Sequence, residues 1–238
     1  MPEPPPQWGI DEVTKFLDIA RGNAYATFAN LKAEYGRIVQ IDGALRKLGG
    51  NLNQSEDWFA VFFVLSAHSS WLAAVNLSMS AQVSETYVML RASLENGLYG
   101  LRIAKNPNLR ETWLRRNDSA KHKGLMLEEF KFSNLIDTLS QEDANEARVA
   151  ETLYDQCIEQ GAHPNELSLM QNLTMQEGAQ CINFELKYMN PNSLAHSLAL
   201  KSTARVGVCV LGIFSRVYKT RFDLLGLSVL LPRLRQGL

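Results

Sequence analysis

Between residues 24 and 48 the apolar positions Tyr25, Phe28, Leu31, Tyr35, Ile38, Ile41 and Leu45 recur at steps of three and four. That spacing lays one apolar stripe along a helix, and Gly49-Gly50 end it. A shorter helix capped by Asp11 precedes it, to about residue 20. Residues 55 to 82 are apolar nearly all round, which predicts a central buried helix, with Ser55 as cap and Glu56 and Asp57 in its first turn. Ser84-Glu85 opens the next helix, which Pro107 stops. Further helices are expected over 109–116, 120–139 and 140–161, the last capped by Ser140. From Ile182 to Tyr188 the period changes to two, with Ile182, Phe184, Leu186 and Tyr188 alternating with Asn183, Glu185 and Lys187. A strand is expected there, and with Leu173 to Gln176 a small β-hairpin about Gly178, near residues 172–189. The last helix spans about 193–222 and carries Ala204, Gly207 and Gly212 as a small-residue seam for a closely packed neighbour. The apolar stretch 224–231 then either covers the core or docks on a partner. The pattern therefore predicts an all-α multi-helix bundle, with 1–8 as an extended Pro-rich tail and 9–238 as one helical domain.

Composition narrows the class. Of 238 residues, 46% are hydrophobic and 21% charged, and the net charge is −1. A chain of this kind folds and is no globally basic nucleic-acid binder. Cys157, Cys181 and Cys209 have no CxxC spacing and sit among apolar or small residues, as reduced thiols of a cytoplasmic protein do. The start, with four prolines in its first seven residues, has neither the basic nor the apolar region of a signal peptide. No Lys, Arg, Asp or Glu occurs between Asp57 and Glu85, a run long enough to span a bilayer. His68, Ser69, Ser70, Asn76, Ser78, Ser80 and Gln82 interrupt it, so a buried helix and no membrane span is expected. Charge is uneven. Residues 102–123 hold seven basic and two acidic residues, 128–166 ten acidic and two basic, and 201–238 seven basic and one acidic. Such blocks pair within the fold or across a homodimer.

The motifs exclude several chemistries. There is no glycine-rich phosphate loop, no G-x-G-x-x-G, no H-E-x-x-H and no G-x-S-x-G. The histidines His68, His122, His163 and His196 fall in four separate segments without metal-ligand spacing, so neither metal nor cofactor is expected.

Five constellations remain. Arg91, Glu95 and Arg102 lie within about 40° of one another on a helical wheel, on the flank of the face built by Tyr87, Leu90, Leu94, Leu98 and Leu101. Charges at a core edge need partners, so the group is either a helix-bridging ion pair or the wall of a polar pocket. In His163-Pro164-Asn165 the proline holds the backbone extended, either as a simple connection or as a rigid loop presenting His163 for acid–base work beside Asn165. Trp113 between basic residues packs in the core or caps a pocket. His68 sits within an apolar stripe, as satisfied core histidines do. Arg116 is followed by Asn117 and, six positions on, by His122.

That last spacing resembles the R-x(4–6)-H motif of HEPN ribonucleases. The resemblance implies Arg116 and His122 acting on RNA across a dimer, the histidine at the 2′-hydroxyl and the arginine at the phosphate. Three stretches, Leu90 to Glu95 with Ala104 to Pro107, then Trp113 to Arg116, then His163 to Asn165, together resemble a group of uncharacterised bacterial all-α proteins. In that group an R-x-x-x-E helix is followed by a histidine before the final helices. The resemblance covers about residues 55–222 and implies a helical bundle in which Arg91, Glu95 and His163 meet in one polar site. From the constellations themselves, Arg102, Trp113 and Asn165 are expected as ligand contacts. Two functions follow as expectations. One is a dimeric module that binds a small molecule or a protein. The other is a HEPN-like ribonuclease or other hydrolase acting on phosphodiesters: an enzyme built on Glu95 and His163 needs them within hydrogen-bond reach, directly or through one water, and the nuclease form needs Arg116 and His122 facing a shared, solvent-open cleft.

Overall fold

The computed structural model describes residues 3–53, 55, 57–163, 166, 170, 173–177 and 182–238. Asn165, Cys181 and Gly178 lie outside them.

Two long helices form the spine. Helix α3 (Trp58–Met79) and helix α4 (Val83–Lys105) pack as an antiparallel pair across a three-residue turn. A third long helix, α9 (Leu194–Val217), lies against both. Helices α1 (Glu12–Asn30) and α2 (Lys32–Gly49) cover one side. On another side run α5 (Leu109–Leu114), α6 (Ala120–Glu129), α7 (Phe132–Glu142) and α8 (Ala144–Cys157). Helices α10 (Lys219–Leu224) and α11 (Leu227–Leu234) close the C-terminal end. The architecture is the expected all-α bundle. The expected hairpin is present as β1 (Leu173–Glu177) and β2 (Ile182–Leu186), antiparallel with Leu173 opposite Leu186 and Glu177 opposite Ile182. It meets the bundle through Tyr188, whose ring stands edge-on to Phe16 of α1 at 6.3 Å.

The most buried helix is α9, not α3. From Ser202 to Phe214 every described residue of α9 except Arg205 is buried. Its glycines admit neighbours that a methyl group would exclude. A Cβ on Gly207 would stand 2.6 Å from the indole Nε1 of the fully buried Trp71, which donates to the Thr203 carbonyl at 2.8 Å. Helix α3 is half covered. Phe59, Phe63, Val64, Ala67, Trp71 and Ala74 face the core, while Trp58, Phe62 and Leu65 face outward. Both α3 and α9 are long and apolar enough to cross a membrane by length and composition alone, and the bundle is compatible with a soluble protein.

The turn between α3 and α4 shows how the last carbonyls of a helix find donors. His196 Nε2 donates to the Ser78 carbonyl at 3.0 Å, Thr27 Oγ1 to that of Met79 at 2.9 Å and Asn23 Nδ2 to that of Ser80 at 3.3 Å. The Asn190 N–H takes the carbonyl of Ala81, a residue held at φ 63°. Three separate parts of the chain thus fix one turn. Burial lowers the His196 pKa and keeps that ring neutral.

Several expected boundaries move. Helix α1 runs through residues 21–23, and the break falls at Leu31 (φ −115°, ψ 54°), where Phe28 and Tyr35 meet edge-on at 4.8 Å. The expected helix 120–139 divides at Lys131, which is extended. The aromatics on either side explain it: Phe130 stacks on Tyr99 of α4 at 4.8 Å and Phe132 on Tyr154 of α8 at 3.8 Å, and a continuous helix could not serve both. The cap of α8 is Asp143, which accepts from the N–H groups of Asn145 and Glu146, rather than Ser140. Within 224–231, Leu227 and Leu231 cover the core, followed by Leu234, while Leu224 and Val229 are exposed.

Candidate functional site

Arg91 and Glu95 face the seam between α4 and α8. Arg91 Nε donates to Glu95 Oε1 at 2.9 Å, and the Tyr154 hydroxyl of α8 donates to the same oxygen at 3.0 Å. The Arg91 guanidinium lies 5.0 Å from the centre of the Tyr154 ring. Burial, then the negative charge of Glu95, pushes the Tyr154 hydroxyl up to about 12, so it stays protonated and donating. Burial likewise raises the Cys157 thiol beneath the pair to about 12. Arg91 and Glu95 are each about one-third exposed, so this is a pre-set plate at the seam.

His163 does not join that group. It is exposed, two residues past Gly161, whose backbone (φ 154°) packs so closely that a Cβ would stand 2.6 Å from the Ser84 carbonyl oxygen. Glu95 is eleven residues along α4 from Ser84, about 16 Å at 1.5 Å per residue. The expected meeting of Glu95 with His163 is therefore replaced by Glu95 with Tyr154. Arg102 turns to other helices, donating to Thr138 Oγ1 at 2.9 Å and Glu129 Oε2 at 3.0 Å. Trp113 packs edge-on to Phe59 and Phe63. Arg116 stacks 4.3 Å over the Trp113 ring and donates to its carbonyl, while His122 Nδ1 meets the Ser119 hydroxyl at 2.8 Å at the start of α6. Among the described residues no hydrogen bond joins Arg116 to His122 within the chain. His68 Nε2 meets Asp42 Oδ1 at 2.7 Å, and the histidine is mostly buried. Burial pushes the Asp42 carboxyl up, but Arg46 and His68 outweigh it and hold the group below its usual range.

The more developed site lies at the crossing of α8 and α9 with the C-terminal helix. A cavity of about 350 Å³ opens there, with Glu146 in its wall. This glutamate is only 4% exposed. Its Oε2 pairs with Arg235, the Cys209 thiol donates to it, and its Oε1 rests on the α9 backbone, where a Cβ on Gly212 would be 2.5 Å away. Burial raises the Glu146 carboxyl above its ordinary value, while Arg235 and the thiol pull it back. Cys209 is buried too, and burial followed by the Glu146 charge raises its thiol strongly. At the rim, Asp143 Oδ2 accepts from Arg216 at 2.6 Å. Val149 and Val208 form apolar wall, and Arg205 lines the same space. A second, more polar cavity of about 530 Å³ lies on the other side of Arg235, against α10 and α11.

Sequence reasoning missed this site because Glu146 reads as an ordinary first-turn acid at a helix start. One signal was available: Arg205 is the lone charge within the apolar and small run from Ser202 to Phe214. Among the described residues no group of three or more His, Cys, Asp or Glu is placed to hold a metal. Compared with protein-family models, curated proteins and solved structures, the chain matches none of them.

Proposed function

We propose that this chain is a non-catalytic, cytoplasmic helical module that binds a small molecule in the cavity beside Glu146. The carrying observation is the convergence of a buried carboxylate, a paired arginine and apolar wall on one concave space of about 350 Å³. Concave, mostly pre-formed spaces with a few convergent polar groups are where small ligands bind. Catalysis has less support. Among the described residues Glu95 has a tyrosine and an arginine as hydrogen-bond partners and no histidine. The HEPN-like pair is engaged locally, Arg116 on Trp113 and His122 at a helix cap.

Pairing with a second copy belongs to the same reading. The outer side of α3 exposes Trp58, Phe62 and Leu65, and no charged residue occurs on that helix. A two-fold contact there buries that apolar surface, with the Arg110 guanidinium lying over the Trp58 ring at 5.0 Å. Light scattering tests this part: the reading expects a dimer that Phe62→Glu dissociates, and a monomeric parent contradicts it.

Ligand-observed NMR with a mixed set of acidic, neutral and basic fragments tests the cavity. Binding to the parent and loss of that binding in Val149→Trp, which fills the space from its exposed rim, is the expected result. Fragments that bind the filled variant equally well place the site elsewhere.

A further inference from the structure

Each acid on the cavity wall already has its own cation. Asp143 is held by Arg216, and Glu146 by Arg235. Arg205 is the charge left over. It is half-buried on α9 between buried Ala204 and Val206, and among the described residues it donates no hydrogen bond and enters no ion pair. A guanidinium carries five donors in a flat fork, and no nitrogen of Arg205 is among the buried unpartnered atoms, so the fork stays accessible from the cavity side. The fork fits carboxylate and phosphate oxygens two at a time.

We infer that the ligand of this cavity is a small organic anion with an apolar body, its carboxylate or phosphate head gripped by Arg205 and its hydrocarbon lying on Val149 and Val208. The inference rests on the cavity being the ligand site. Glu146 does not oppose an incoming anion. Its Oε2 is covered by Arg235 and its Oε1 is turned onto Gly212. A cationic ligand would have to break one of the two existing ion pairs to find a carboxylate, and it would sit beside Arg205. A neutral ligand would give the fork no charged partner.

Calorimetric titration of the full chain with hexanoate, hexyl phosphate, hexanol and hexylamine separates these cases. One or both anions should bind at least about tenfold tighter than hexanol, the difference expected for charge-assisted hydrogen bonds. The tighter anion identifies the head group. Arg205→Leu should abolish the preference and leave hexanol unchanged within about twofold, while Arg205→Lys, which keeps the charge without the fork, should retain part of it. The comparison among the four probes on the parent does not depend on any variant folding. Hexanol or hexylamine binding as tightly as both anions, and lost in Val149→Trp, would overturn the anion inference while leaving the cavity reading intact. Absence of binding by all four, or binding that Val149→Trp does not alter, would overturn both.

Discussion

The pairing of Glu146 with Arg235 makes a strong demand on stability. Glu146 is buried at 4%, whereas Arg235 is 43% exposed on its side chain, so the carboxylate depends on a partner that reaches in from water. Arg235→Leu removes that partner and leaves the Cys209 thiol as the remaining donor to the carboxylate among the described groups. Stranding one member of a buried pair costs about 3–5 kcal/mol, and the exposure of Arg235 puts the expected loss near the lower end, about 3 kcal/mol. The sign with pH follows from the raised Glu146 pKa. A carboxyl that holds its proton more tightly folded than unfolded adds stability below its ordinary value, and that contribution disappears as pH rises through the folded value. Without Arg235 the folded value climbs further, so the variant should lose less at pH 5 than at pH 8. Glu146→Leu combined with Arg235→Leu removes the charge itself and should recover most of the loss. Urea unfolding of the parent, the single and the double variants at both pH values measures all of this. An Arg235→Leu cost below about 0.5 kcal/mol, or one equal at the two pH values, would refute the claim that a buried carboxylate depends on this arginine.

Other outcomes follow from the same contacts. Gly212→Ala pushes a methyl group onto the Glu146 carboxylate and should cost about 1–3 kcal/mol in urea unfolding. Tyr154→Phe removes the hydroxyl donor to Glu95 and should cost about 1–2 kcal/mol, and ultraviolet titration of the parent should show Tyr154 ionising only near pH 12. Cys157 and Cys209 are buried and their thiols are raised, so at pH 8 a thiol reagent should modify them only after denaturant is added. His122→Ala should leave any RNA turnover by the preparation unchanged, because that ring serves the start of α6.

Much of the bundle is legible along the chain because its strongest signals are local. Pro107 stops α4, Asp11 caps α1 through the Thr14 N–H, and Ser193 caps α9 through that of His196. Arg91 with Glu95 is legible for the same reason, since four residues is one helical turn. What escapes is set by distant neighbours. Nothing near Leu31 marks a break, and Lys131 is extended because its two aromatic neighbours are claimed by different helices. Tyr154 lies 59 residues from Glu95, and no local pattern links them. Gly212 is recognisable as a place where another helix comes close, yet nothing local says that the group pressed against it is the Glu146 carboxylate of α8. His163 joins Glu95 by resemblance alone, and Gly161, two residues before it, packs against Ser84 at the start of α4.

Methyl resonances report most directly on the central claim of a ligand cavity at the α8–α9 crossing. During titration with hexanoate, the methyl groups of Val149, Val208 and Leu238 should shift together and saturate, while that of Ala92 beside Arg91 stays in place. Saturable shifts confined to Ala92 and its neighbours, with those three methyl groups unmoved, would contradict it.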